Sequence, residues 1–155
     1  MHALSNASAA LAASAGADIL AHTPVEPLAP TTVVAWRGRA VISTLAAFGG
    51  TDEAVANLRA HRAAGATVLA GTDMGNLRDD GPSSREVALL AKAGLDDAAI
   101  VAAMTTTPAA YWNLPFRTIA AGADASVLVL DRDPRSDAKA LLAPREVWLH
   151  GVRVK

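Results

Sequence analysis

Polar residues stand at the ends of short apolar runs in this sequence. The runs are ADILAH, AVIST and VLAGTD, and they end at His22, Thr44 and Asp73. Because the carboxyl ends of parallel strands meet on one face of an α/β fold, where ligands bind, these side chains are expected to lie close together. His2 would join them if Met1 and His2 end a further strand. Imidazoles and a carboxylate can hold zinc with one position left open for water, so His2, His22 and Asp73 are candidate metal ligands.

Each of these candidates also has a simpler structural explanation. Asp73, which follows Gly-Thr, could cap a helix or form an Asx turn. His22, which precedes Thr-Pro, could be a loop histidine with satisfied hydrogen bonds, and His2 could be a terminal residue without a ligand. From the residue pattern alone the terminal explanation is preferred for His2, and the metal site stays one alternative among several.

Other side chains that could do chemistry are more simply explained by structure. His61, beside two arginines on a predicted helix, and His150, in a predicted turn, are expected at the surface. Glu86 is expected to be a first-turn carboxylate favoured by the helix dipole. The tryptophans are expected to pack in the core or to dock elements together. They are Trp36, Trp112 and Trp148.

The composition restricts the classes of function. The 155 residues are 52% hydrophobic and carry a net charge of -1, from 14 Lys and Arg against 15 Asp and Glu. This balance predicts a globular chain with a small-molecule substrate and argues against a nucleic-acid or membrane partner. Without cysteine, a metal site needs histidine and carboxylate ligands. The N-terminus lacks a positive region and an unbroken apolar core, so we expect no cleaved signal and a cytoplasmic location for the chain as given, while the location of a longer protein stays open.

Strand-like runs alternate with Ala-rich helical runs, a pattern typical of parallel βα units. Helices are predicted at residues 5–16, 31–39, 52–65, 84–94 and 96–113, the last interrupted by Pro108. Strands are predicted at residues 17–22, 40–45 and 66–73, and β-rich segments at 125–131 and 145–154. The polar loop at residues 74–84 (MGNLRDDGPSS) is long for a connection and is expected to carry function, although its substrate-contacting residues are not identifiable.

Six segments of the sequence, in this order, resemble a known family. They are MHALSNASAALAASAGADILAHTPVEP, VISTL, NLRAHRAAGATVLAGTDMG, REVALLAKAGL, TTTPAAYWNL and IAAGADASVLVLDRDP. Together they look like the C-terminal half of the amidohydrolase superfamily, and more narrowly are similar to its imidazolonepropionase-like and Xaa-Pro dipeptidase-like branch. The resemblance covers nearly the whole chain.

The resemblance implies a fold, a chemistry and roles for three residues. Family members use one or two divalent metals, usually zinc, in a (β/α)₈ barrel and hydrolyse C–N bonds of amides, cyclic amides and amidines. By motif, His2 matches the metal-binding histidine that ends strand five, and His22 the one that ends strand six. Asp73 matches the strand-eight aspartate, which contacts metal and takes the proton of the attacking water.

The implied fold is α/β: part of a TIM barrel, about strands five to eight, at residues 1–115, with C-terminal strands of a small β-sandwich at 116–155. The family's His-x-His pair and its bridging Lys or Glu have no counterpart here, and a barrel typically needs about 250 residues. The expectation is therefore an enzyme fragment that is catalytically incomplete alone. Three explanations of such a fragment are considered: a truncated gene model or gene fragment, which is preferred, a half that assembles in trans, and a decayed non-catalytic interaction domain. A doubly wound domain that binds a small ligand is a separate alternative. Open sheet edges predict self-association or a missing N-terminal half as partner.

Overall fold

A computed structural model describes residues 1–76, 81–115 and 118–155. The chain divides into two compact units, Met1–Gly94 and Leu95–Lys155. The sequence analysis divides the chain differently, into a barrel part at residues 1–115 and sandwich strands at residues 116–155, and that division stays a prediction.

The first unit is built around a three-stranded parallel sheet in the order β1-β2-β3. Its strands are β1 (Ile19–Ala21), β2 (Ala40–Ile42) and β3 (Thr67–Leu69), and its helices are α1 (Asn6–Ser14), α2 (Pro30–Ala35), α3 (Asp52–Ala63) and α4 (Ser84–Lys92). His2 forms a parallel bridge with Ala21, where the Ala3 N–H donates to the Ala21 carbonyl over 2.7 Å. Met1 and His2 therefore lie beside β1 as a strand end would. The predicted α/β alternation is confirmed, and closure into a barrel stays a prediction.

Side-chain caps explain where the helices of this unit begin. The Ser5 hydroxyl accepts from the Ser8 N–H before α1, and Thr51 and Ser83 do the same for the first turns of α3 and α4. Each cap satisfies a backbone donor that the helix leaves free, which is worth about 1 kcal/mol. Pro30 occupies the first position of α2, where its missing N–H costs nothing.

Apolar side chains from sheet and helices form the core of the first unit. Trp36 is fully buried, as predicted, and its indole N–H donates to the Ala9 carbonyl over 3.2 Å. The other large buried apolar side chains of this unit are Leu20, Val41, Leu45, Leu58, Leu69 and Leu90. Among the described residues, no helix combines the length and apolarity that crossing a membrane requires.

The surface position predicted for His61 is wrong. His61 is 0% exposed, while Ala63, two residues further along the helix, is exposed. The reason is helical spacing: Ala54, Leu58 and His61 follow each other at intervals of four and three, so they share one face. His61 therefore belongs to the buried stripe, and Arg62 lies outside it.

The second unit combines helices with a small antiparallel sheet in the order β4-β5-β6. It contains α5 (Asp97–Met104), α6 (Thr106–Tyr111), a 3-10 helix (Ala138–Leu142), β4 (Val127–Val129), β5 (Glu146–Leu149) and β6 (Val152–Arg153). The predicted interruption near Pro108 is confirmed, at Thr105. The 3-10 helix was not predicted.

The side chains predicted for this unit have mixed outcomes. His150 is exposed in the turn between β5 and β6, as expected. Trp148 is half-buried, and its N–H donates to Glu146 over 2.9 Å. Trp112 is 48% exposed and is not a core residue, because it follows the end of the short helix α6.

Candidate functional site

The structure brings His2, His22 and Asp73 to one edge of the parallel sheet. His22 follows β1 directly, and Asp73 lies in the segment that leaves β3. The ring centroids of His2 and His22 are 5.2 Å apart in an edge-on arrangement, and His22 Nε2 is 3.8 Å from Asp73 Oδ1. Residues far apart in the sequence therefore share one site, because parallel strands end on the same side of the sheet.

Two residues at this edge have backbone conformations that favour glycine. Asp73 has φ of 52° and Thr44, which follows β2, has φ of 41°. Asp tolerates this left-handed region better than most residues do, but both conformations need support from their surroundings. The cap of α4 is Ser83, so Asp73 does not cap that helix.

His22 has the properties of an available ligand and not of a satisfied loop histidine. Its Nδ1 is buried and has no hydrogen-bond partner among the described residues. Burial lowers the pKa of His22 below its usual value, which Asp73 opposes and which the nearby His2 and N-terminal amine reinforce. The imidazole is therefore neutral at neutral pH, the form that binds metal ions, and its contact with Asp73 is not an ion pair there.

Phe48 completes one side of the site and was not predicted. Its ring centroid lies 4.6 Å from that of His22 and 6.2 Å from that of His2. The ring is half-buried in the loop between β2 and α3 and packs against His22, which is half-buried, while His2 is exposed. Nothing in the local sequence around Phe48 indicates this role, since it depends on how the loop folds back over the strand ends.

The sequence matches no family model and no curated protein. Solved structures do match it over 99% of its length. A Xaa-Pro dipeptidase with methionine bound in its active site has a TM-score of 0.82 and 16% identity, with 44% of that chain covered. A prolidase complexed with N-methylphosphonate-L-proline has 0.71, 22% and 44%, and ochratoxinase from A. niger has 0.70, 20% and 40%. The chain shares the fold of these hydrolases.

This likeness carries two consequences. Identities this low establish the fold alone, which is consistent with the superfamily that the sequence resembles, while the narrower branch stays a prediction. The chain also spans less than half the length of each of these solved proteins.

The donor atoms at the site fit a divalent cation in type. Imidazole nitrogen and carboxylate oxygen are ordinary zinc ligands, and His22 offers a buried nitrogen without a partner. Across residues 1–76, 81–115 and 118–155, however, no three His, Cys, Asp or Glu side chains are arranged so that they could hold a metal ion. The described chain thus supplies suitable donors in close pairs but not a closed site. In the loop at residues 74–84, residues 77–80 lie outside the described part, and its predicted role stays a prediction.

Gly71 fixes how closely the segment before Asp73 approaches β2. A Cβ atom at Gly71 would lie 2.5 Å from Ile42 Cγ2 and 2.9 Å from Thr44 Cγ2, closer than packed carbon atoms allow. We expect Gly71→Ala to lower the free energy of unfolding by about 1–3 kcal/mol, the usual cost of overpacking. Urea denaturation checks this result.

Gly81→Ala is the matched control for that substitution, because a Cβ at Gly81 meets no atom of the described residues within 4 Å. It is expected to change the unfolding free energy by less than about 0.5 kcal/mol. Equal stability of the two variants would contradict the close approach at Gly71.

Proposed function

We propose that this chain is part of a metal-dependent hydrolase of the amidohydrolase type that cleaves C–N bonds of small molecules. The observation that carries the proposal is the meeting of His2, His22 and Asp73 at one edge of a parallel sheet. The fold shared with prolidases and ochratoxinase supports it. In this proposal residues 1–115 belong to a (β/α)₈ barrel, and the proposed metal ligands end its strands.

Each site residue has a chemical task in this proposal. His22 and His2 offer imidazole nitrogens, and burial, which lowers the pKa of His22, favours the neutral form of His22. Asp73 is the catalytic residue: its carboxylate accepts the proton of the attacking water and passes it to the leaving nitrogen. Phe48 packs on the His22 ring and limits its contact with solvent, which strengthens electrostatic interactions of that imidazole.

The proposed metal is a divalent cation, zinc by donor type, with one or two ions in the complete protein. When bound, such an ion lowers the pKa of its water toward neutrality and so supplies a nucleophile. We propose that ligands outside the described residues complete the site, which makes this chain alone catalytically incomplete. The proposed substrate class is an amide, a cyclic amide, an amidine or a Xaa-Pro dipeptide, and only the last of these is suggested by the names of two structural neighbours.

The alternative is a non-catalytic remnant or interaction domain that needs an N-terminal half in trans. The absence of a three-ligand arrangement among the described residues favours this alternative. The reading frame upstream of Met1 separates the two. An in-frame His-x-His pair and a strand-ending Lys or Glu support the enzyme, and their absence from that frame contradicts a truncated hydrolase.

Zinc binding by the 155-residue chain tests the proposed ligands directly. We expect about one zinc per chain by elemental analysis after equilibration with excess zinc, because the donors already lie in close pairs even though the described residues form no closed three-ligand site. His22→Ala and Asp73→Asn should each weaken the zinc affinity at least about tenfold in a chelator competition titration, since each removes a charged or strongly coordinating donor.

His150→Asn is the control for zinc binding through exposed histidines. His150 lies in the second unit at φ of 50°, which Asn tolerates, so this variant should keep the zinc affinity of the parent chain. A folded chain without zinc, or zinc whose affinity is insensitive to both site substitutions, would contradict the proposed ligands.

A further inference from the structure

Glu86 is a buried carboxylate whose oxygens are both occupied by hydrogen bonds from another part of the chain. It lies in the first turn of α4, as the sequence predicted, but is only 5% exposed. Oε1 accepts from the Ser43 hydroxyl over 2.5 Å and from the Leu45 N–H over 3.1 Å, and Oε2 accepts from the Ala46 N–H over 2.7 Å. Burial raises the pKa of Glu86, and these hydrogen bonds oppose the rise. A buried carboxylate is costly unless it is hydrogen-bonded, so its position depends on these donors.

Ser43 extends this network to the end of β3. Its hydroxyl has a single proton, which it donates to Glu86, so its lone pairs are free to accept. The Gly71 N–H donates to that oxygen over 3.3 Å. Gly71 precedes Asp73 by two residues, so a chain of hydrogen bonds leads from α4 through the end of β2 to the segment that carries Asp73.

The two strand-end segments that this network connects each contain a residue with an unfavourable backbone conformation. Thr44, between the hydrogen-bonded residues Ser43 and Leu45, and Asp73 both have positive φ. Such conformations are unfavourable and persist where the surroundings over-determine them. The tight contact of Gly71 with Ile42 and Thr44 leaves the segment little room to move sideways, and the hydrogen bond from Gly71 fixes its position along the strand end.

We propose that Glu86 is a positioning residue that acts through Ser43 and the Gly71 amide to place the Asp73 carboxylate beside His22. Among the described residues, the Glu86 carboxylate makes its hydrogen bonds to Ser43, Leu45 and Ala46 and none to the site histidines or to Asp73. The inference rests on the proposed function for its consequence in catalysis, while the placement itself is a property of the metal-free chain.

Two substitutions separate the parts of this network. Glu86→Gln keeps the shape but puts an NH₂ group where one oxygen accepted an N–H or O–H, so one hydrogen bond is replaced by two facing donors. Ser43→Ala removes the relay and leaves Glu86 in place with its two backbone donors. In both variants the Gly71 amide loses support.

Metal-free amide hydrogen exchange and nuclear magnetic resonance spectra of the whole chain test the placement. We expect exchange at Gly71 to become at least about tenfold faster than in the parent chain, a change of about 1.4 kcal/mol in local protection. The amide shifts of Thr72 and Asp73 should change with it, while amides in β1 keep their protection. Trp36→Phe is the control, because it removes a distant buried hydrogen bond and should not change exchange at Gly71 selectively.

Zinc affinity of the same variants connects the placement to the proposed function. Glu86→Gln and Ser43→Ala should weaken zinc binding several-fold, and Trp36→Phe should not. If the parent chain binds no zinc, the proposed ligands fail while the exchange data still decide the placement. Unchanged Gly71 exchange and Asp73 shifts in folded Ser43→Ala overturn the inference, and this variant keeps the test decisive if Glu86→Gln does not fold.

Discussion

Replacing Asp73 by Asn is expected to lower the proposed rate of C–N bond hydrolysis by about 10³-fold, because general-base catalysis contributes about 10²–10⁴-fold. The protein to assay is this chain together with the residues that supply the remaining metal ligands. The amide cannot take the proton of the attacking water. Asn accepts the left-handed backbone conformation that Asp73 has, with φ of 52°, so the fold should stay intact. Steady-state assays on Xaa-Pro dipeptides and cyclic amides measure the loss, and kcat and kcat/KM should fall together.

Asp52→Asn is the matched control for that prediction. Asp52 is an exposed carboxylate on α3 whose partner is Lys92, and its loss should leave the rate unchanged. A fully active Asp73→Asn enzyme would exclude Asp73 as the proton acceptor. A loss that appears in KM alone would assign Asp73 to substrate binding instead.

The positions of the candidate ligands were predictable because their signals are local. A short apolar run that ends in a polar residue marks a strand end, and alternation with Ala-rich helices implies a parallel sheet. These two signals place His22 and Asp73 on the same edge before any contact is known. For His2 the residue pattern alone favoured an unligated terminus, and only the resemblance to a family assigned it to a strand end. The bridge between His2 and Ala21 agrees with that assignment.

The supporting residues were not predictable because their partners are distant in sequence. Glu86 accepts a hydrogen bond from Ser43, which lies 43 positions earlier in the sequence. A first-turn helix carboxylate normally faces solvent instead. Phe48 belongs to a loop whose path over His22 follows from tertiary packing. In both cases the residue type was visible in the sequence but the direction of the side chain was not.

His61 shows a different kind of error, in which the signal was present and was given too little weight. Its neighbours Arg59 and Arg62 are exposed, and they suggested a solvated face. The intervals from Ala54 and Leu58 place His61 on the buried stripe nonetheless. Helical spacing outweighs polarity here, because the cost of a buried neutral imidazole is smaller than the cost of breaking the helix or exposing its apolar neighbours.

Burial of His61 predicts that the stability of the protein falls when the pH drops below about 6.5, the unperturbed pKa of histidine. Burial lowers the pKa of His61 from 6.5 to about 4, and both ring nitrogens lack a hydrogen-bond partner among the described residues. A histidine whose folded pKa is depressed has no effect on stability through protonation above its unfolded pKa and opposes folding increasingly below it. Between pH 6.5 and 4 the unfolded chain binds a proton that the folded chain does not, so stability is lost as the pH falls through this window.

We expect His61→Leu to remove this loss. The shift of His61 corresponds to about 3 kcal/mol at pH 4, so the variant should gain that much over the parent chain between pH 7.5 and 4. At pH 7.5 it should be as stable as the parent or more stable by about 1 kcal/mol, because Leu has a similar volume and leaves no polar group unpaired. Urea denaturation at several pH values measures both effects. His22 also has a lowered pKa, so some acid sensitivity remains in the variant.

Ala56→Leu adds the same side chain to the exposed face of α3 without removing an imidazole, so its stability should change with pH in parallel with that of the parent chain. A titration of the His61 ring by nuclear magnetic resonance provides the direct check, because a ring held neutral by burial should not titrate near pH 6.5. If His61→Leu and the parent chain lose stability in parallel on acidification, the imidazole accepts its proton in the folded state. The packing around α3 would then have to admit water to the ring, and the apolar stripe would be less tightly closed at His61 than at Leu58.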